Sequence, residues 1–215
     1  MQNLMIDATS QFGSPRILII HSAASHSGKT TLCRALARDL PFDTYVKLSR
    51  HTDHLVECSL SAGNLGIATG DTSLLLSSRR TPGLLPLRDV LFCSGPRDET
   101  DGAVMRALVR WGTAVRVLVE GNCSVAPIPS LHLFVLSCPL PSTCKPDTGT
   151  SASGAGLLVV NRLPSCSAAE ERALATLLHE WNPCATVLSG SLEDNMFLAT
   201  VEGEVVSLLP MLLSR

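Results

Sequence analysis

The sequence predicts a three-layer α/β fold: a mostly parallel central sheet with helices on both faces. Three observations predict it. Short, wholly apolar runs recur along the chain, including Ile17-Leu18-Ile19-Ile20, Val117-Leu118-Val119 and Leu157-Leu158-Val159-Val160; strands buried on both faces read this way. Stretches of helical periodicity alternate with those runs. Polar and glycine residues gather just after the runs, at the carboxyl ends of the strands, where open α/β sheets bind ligands.

The chain has 215 residues, 45% hydrophobic and 17% charged. That suits one globular domain with a real core. Residues 1–15 are polar and end in Gly13-Ser14-Pro15, so they read as a loose lead-in to a single domain over 16–215. The net charge is −2 with no basic tract, which argues against a nucleic-acid surface. No apolar run reaches the roughly 18–20 residues of a membrane span, and no leader pattern opens the chain, so a cytoplasmic protein is expected.

Arg16–Ile20 is the first expected strand, and Gly28–Asp39 the first helix, with Leu32, Ala35, Leu36 and Leu40 spaced for one face and Pro41 closing it. A second strand is expected over Asp43–Leu48. Residues 61–71 are glycine-rich and read as loop, with a short helix over Thr72–Arg79. Leu84–Cys93 reads as a strand despite Pro86, and Asp98–Trp111 as a helix. Ala114–Val119, Leu131–Leu136, Leu157–Val160 and Ala185–Leu188 complete the expected strands. Ser167–Trp181 is a helix with a serine cap, early glutamates and Pro183 beyond it. The apolar runs of Met196–Leu209 flank Glu202-Gly203 and read as a hairpin.

The chemistry-bearing segment joins the first strand to the first helix. It reads Ala23-Ala24-Ser25-His26-Ser27-Gly28-Lys29-Thr30-Thr31. This is a phosphate-binding P-loop: small residues let backbone N–H groups approach a phosphate, and the helix points its positive dipole end at the anion. Residues 24–31, from Ala24 to Thr31, are the expected nucleotide-binding set, with Lys29 on the phosphates and Thr30 on Mg²⁺. The first glycine of the usual pattern is replaced by Ala23, which is strained if the loop needs positive φ there. The fold expected is therefore a P-loop NTPase, with GTP or ATP and Mg²⁺ as cofactors.

Two further segments complete the candidate site. Glu120 follows a buried strand and precedes Gly121, where an acidic Mg²⁺ ligand belongs. Lys47, Ser49, Arg50, His51, Asp53 and His54 form the densest polar cluster in the chain. Asp53 is a candidate for metal or water; Lys47, Arg50, His51 and His54, with Asp71 further on, are candidates for substrate or partner contact. Lys29, Asp53 and Glu120 form the expected catalytic set. Asn161-Arg162 follows a strand where guanine-specific proteins carry Asn-Lys-x-Asp, so these two are candidate base contacts; Pro164 stands in place of the aspartate, leaving the base open. His132 and His179 read as structural or surface residues. The eight cysteines contain no C-x-x-C pair, so a zinc ribbon is not expected. Reduced thiols are, although Cys138 and Cys144 flank a Pro-rich loop and offer a disulfide or a metal site.

In these residues the chain resembles the MobB family, the nucleotide-binding adapters of molybdopterin-guanine dinucleotide biosynthesis. The likeness is carried by Ser27-Gly28-Lys29-Thr30-Thr31-Leu32, by Val46 to His54, by Leu118-Val119-Glu120-Gly121-Asn122 and by Gly70-Asp71-Thr72-Ser73. It implies GTP or ATP binding with Mg²⁺, slow hydrolysis, a capacity to form homodimers, and a molybdenum-cofactor biosynthesis enzyme as partner. A small-molecule kinase or ligase of P-loop architecture, and a non-catalytic nucleotide-binding module, remain open alternatives.

Overall fold

The computed structural model describes residues 16–49, 54–61, 82, 84–85, 87–112, 114–126 and 128–210, without the side chains of 60 and 61. The lead-in, the glycine-rich stretch from 62, the helix expected over Thr72–Arg79, and Arg50, His51, Asp53 and Asp71 lie outside the described residues.

Eight strands form one sheet: β1 (Ile17–Ser22), β2 (Thr44–Ser49), β3 (Val56–Ser61), β4 (Asp89–Ser94), β5 (Val117–Glu120), β6 (Ser130–Cys138), β7 (Leu157–Arg162) and β8 (Thr186–Gly190), in the order β3-β4-β2-β5-β1-β6-β7-β8. All neighbours run parallel except β3, which pairs antiparallel with β4 at the edge. The edge strand β3 has no counterpart in the sequence reading. Its described side chains are largely exposed, so it lacks the apolar run that marks the inner strands. Five helices are described: α1 (Lys29–Asp39), α2 (Arg97–Trp111), α3 (Thr148–Ser153), α4 (Ala168–Trp181) and α5 (Asn195–Leu208).

Alternation along β1 splits the core. Leu18 and Ile20 face α1 and α5, meeting Leu32, Leu36, Leu198, Val201 and Val205. Ile17 and Ile19 face α2, meeting Ala103, Val104 and Leu108. On that second face β6 and β7 pack Phe134, Leu136, Leu158 and Val160 against Leu174 and Leu178 of α4. Period-two alternation of apolar residues with no polar partner is how a sheet supports helices on both faces.

Two expectations fail. The expected hairpin is α5, capped by Asp194, whose side chain accepts from Met196 N at 2.9 Å. Gly203 costs a helix about 1 kcal/mol, but Leu198, Val201 and Val205 recur at helical spacing and bury against α1, which outweighs it. Cys138 is not a reduced thiol, nor paired with Cys144: it forms a disulfide with Cys166. Cys138 pairs with Arg162 in the β6–β7 register, and the turn after β7 returns Cys166 beside it through Leu163 N–H to Cys138 O at 3.0 Å. Among the described residues, no helix is long and apolar enough to cross a membrane.

Between the two clusters on the α2–α4 face lies a stacked histidine pair. The His21 and His132 rings sit 5.0 Å apart, with Nε2 of His21 2.8 Å from Nδ1 of His132 and Ser130 Oγ 2.9 Å from its Nε2. The expected structural role of His132 is thus realised. Burial, helped by His132, lowers the pKa of His21 to about 3. As pH falls from about 6.5 toward 3, the unfolded chain takes up a proton that the folded one refuses, so stability is lost at up to about 1.4 kcal/mol per pH unit. Urea midpoints should therefore fall more steeply below pH 6.5 for the wild type than for His21→Gln. Parallel curves for the two proteins would refute this assignment.

Candidate functional site

The end of β1 and the start of α1 are joined by the phosphate loop. Strain in it falls on His26 and Gly28, not on Ala23. Among the described residues, His26 is the single non-glycine at positive φ, at 60°, and Gly28 has φ 92° and ψ 4°. Ala23 keeps an ordinary φ and is fully buried, so the missing glycine carries no backbone penalty. Its carbonyl accepts from Lys145 N at 2.7 Å, and Ser27 Oγ donates to Ala24 O at 3.2 Å, closing the loop on itself. Ser25, His26 and Thr31 are exposed around the rim.

Gly28 is required by its surroundings as well as its φ. A Cβ there would lie 2.6 Å from Leu192 Cδ1 and 2.7 Å from Asn161 Nδ2. Asn161 is therefore beneath the loop. Its Nδ2 donates to Ser27 O at 3.4 Å and its Oδ1 accepts from Leu192 N at 3.1 Å. The residue expected to meet a base is committed, through these two bonds, to bracing the loop from behind. Arg162 is exposed and pairs with Glu171 at 3.5 Å.

Lys29, Thr30 and Glu120 converge as expected, although they are about ninety residues apart in sequence. Lys29 Nζ lies 3.0 Å from Glu120 Oε1, and Thr30 Oγ1 donates to the same oxygen at 2.6 Å. The second carboxylate oxygen accepts from the buried Tyr45 hydroxyl. Burial pushes the Glu120 carboxyl up, but Lys29, Thr30 and Tyr45 together outweigh it and hold the pKa below the usual value. A carboxylate so saturated with donors binds protons weakly, which suits it to positioning and charge balance rather than proton abstraction.

The surrounding cleft has a volume of about 680 Å³ and takes in the phosphate loop, Lys47 to Ser49, Glu120 to Asn122, and Lys145. Lys47 is thus brought to the site. His54 is exposed and does not line the cleft. The donor set suits Mg²⁺, which binds through one or two protein oxygens and completes its shell with phosphate and water: a hydroxyl and a buried carboxylate meet at the cleft floor. Among the described residues no three His, Cys, Asp or Glu side chains gather as a metal-binding group.

Tyr45, Asn122 and Lys145 also belong to the site and carry no role in the sequence reading. Tyr45 hides in an apolar strand and Lys145 in a Pro-rich loop. Asn122 follows the glutamate-glycine turn directly, and that adjacency is the one usable signal.

No protein-family model and no curated protein matches the chain by sequence. Solved structures do match in fold. Hydrogenase maturation factor HypB from Archaeoglobus fulgidus superposes with a TM-score of 0.51 at 14% identity, covering 93% of this chain and 92% of that one. HypB from Helicobacter pylori in complex with nickel gives 0.52 at 15% identity, covering 90% and 86%. The chain has the P-loop NTPase fold. The likeness extends over nearly the whole chain. At this identity it is a likeness of architecture.

Proposed function

We propose that this protein binds a nucleoside triphosphate with Mg²⁺ in the cleft, hydrolyses it slowly, and uses that cycle to assist a partner enzyme in assembling a metal-containing cofactor in the cytoplasm. The convergence of Lys29, Thr30 and Glu120 beneath the left-handed end of the loop carries this reading. Lys29 and the loop amides would hold the phosphates, and Thr30 and Glu120 would hold the ion. Bound Mg²⁺ would neutralise charge developing on the phosphates. The donors around Glu120 hold its pKa below the usual value, so it is a weak base, which argues for slow turnover.

The MobB resemblance makes the molybdenum guanine dinucleotide cofactor the favoured client, and homodimers the favoured assembly. Both HypB neighbours share the fold, and the first is named a hydrogenase maturation factor, which is compatible with a role in maturing another enzyme. GTP and ATP both fit the resemblance, and Pro164 in place of the guanine-selecting aspartate argues for weak base discrimination.

The test is a thermal-shift series with GTP and ATP, each with and without Mg²⁺. A ligand at about 100 times its Kd adds about 2.7 kcal/mol, which for a domain of this size raises Tm by roughly 5–10 °C. The shift should shrink without Mg²⁺. No shift with either nucleotide would sink the proposal.

A further inference from the structure

Asn122 grips Ser22, the last residue of β1 before the phosphate loop, from both sides. Its Oδ1 accepts from Ser22 N at 3.0 Å, and its Nδ2 donates to Ser22 O at 3.4 Å. The same Nδ2 donates to Asp147 Oδ1 at 3.5 Å, and Asp147 Oδ2 accepts from Arg97 Nη1 at 3.2 Å at the start of α2. Asn122 is buried, at 6% exposure. The residue before it is equally fixed: Gly121 has φ 149° and donates to Ile20 O at 3.1 Å, and a Cβ on it would strike Leu48 Cβ at 2.6 Å. The end of β5 can therefore shift little without carrying Ser22 with it.

The orientation of the carboxamide follows from its partners. An ionised Asp147 only accepts, so it draws Nδ2 toward itself and leaves Oδ1 for the Ser22 N–H. Asp147 is in turn held by Arg97. The end of β1 and the connections following β4, β5 and β6 meet in this one chain of hydrogen bonds.

From this geometry we infer that Asn122 is a positioning residue for phosphate binding, acting through the Ser22 peptide, with Asp147 setting the direction of its amide. The inference rests on the nucleotide reading above. Asn122 places the start of the loop, and with it the first amides that face an incoming phosphate. Phosphate sites depend on such placement, because donors displaced by about 1 Å lose much of their effect.

The pair offers a reversal test. Asn122→Asp keeps an acceptor for Ser22 N–H but sets a carboxylate against Asp147 and against the Ser22 carbonyl. Adding Asp147→Asn restores a donor and an acceptor between positions 122 and 147 with their direction exchanged, while the carboxylate still faces the Ser22 carbonyl. Affinities of the full-length protein for a non-hydrolysable triphosphate are measured by calorimetry with Mg²⁺, alongside the Tm of each nucleotide-free variant. Asn122→Asp should bind about 10-fold more weakly, and the double variant should return to within about threefold of wild type. Asn122→Ser, which adds no charge, should bind about fivefold more weakly and covers the case in which the aspartate variant fails to fold. Wild-type affinity in Asn122→Ser, or a double variant that melts like wild type yet stays weak, overturns the inference while leaving nucleotide binding intact. A wild-type protein that binds neither nucleotide overturns the functional reading first and this inference with it.

Discussion

Lys29→Ala is expected to weaken triphosphate binding by about 100-fold and to abolish the ligand-induced thermal shift. Truncating one partner of a desolvated, hydrogen-bonded charge pair costs about 2–5 kcal/mol, and each 1.4 kcal/mol is about tenfold in affinity. A second effect needs no nucleotide. Glu120 is 2% exposed and Lys29 17% exposed, so removing the ammonium leaves a buried carboxylate held only by two hydroxyls. Its pKa then rises, because burial is the largest influence on it and Lys29 the largest opposing one. In the wild type this carboxylate contributes stability above the ordinary glutamate pKa, lost as pH falls through its depressed folded value. The nucleotide-free variant should be less stable than wild type by about 1–3 kcal/mol at neutral pH. The gap should narrow on acidification, because the variant's carboxyl takes up its proton at a higher pH than the wild type's does. Urea unfolding from pH 7 to pH 4 measures the second effect and calorimetric titration the first. Unchanged affinity would mean that Lys29 does not hold phosphate.

Gly28→Ala is expected to be strongly destabilising. The left-handed φ of 92° disfavours any L side chain by about 1–2 kcal/mol. Overpacking against Leu192 and Asn161 adds about 1–3 kcal/mol. The combined loss of about 2–5 kcal/mol corresponds to a fall in Tm of roughly 5–20 °C. Gly203→Ala is the natural control: it lies in α5 with nothing within 4 Å of the added Cβ, and should be neutral or stabilising by up to about 1 kcal/mol. A Gly28→Ala protein that melts with the wild type would contradict the packing described beneath the loop.

Much of the site is local, and the local parts were readable. A strand, a run of small residues and a lysine at a helix start lie within sixteen residues, Ile17 to Leu32. Glu120 was readable because a charged residue straight after a buried run has few other reasons to be there. For Asn161 the strand-end position is plain in the sequence, while its engagement with Ser27 O, 134 residues away, is not. The hairpin expected at the C-terminus shows a local signal that misleads. Glu202-Gly203 is a local turn signal, and the burial of Val201 and Val205 against α1 overrode it.

By itself the sequence determined the fold class, most of the elements within a few residues, the phosphate loop and its glutamate. Each of these is written in the period of apolar residues or in a contiguous motif. Only the tertiary structure decided the strand order, the Cys138–Cys166 bridge, the move of strain from Ala23 to His26, and the clasp of Ser22 by Asn122. The physical reason is the same in each case. In a parallel sheet, neighbouring strands need not be neighbours in sequence, and every strand delivers its carboxyl end to one edge. Which side chains meet there depends on the order in which the strands stack, and the hydrophobic pattern that buries a strand on both faces does not specify which strand lies beside it.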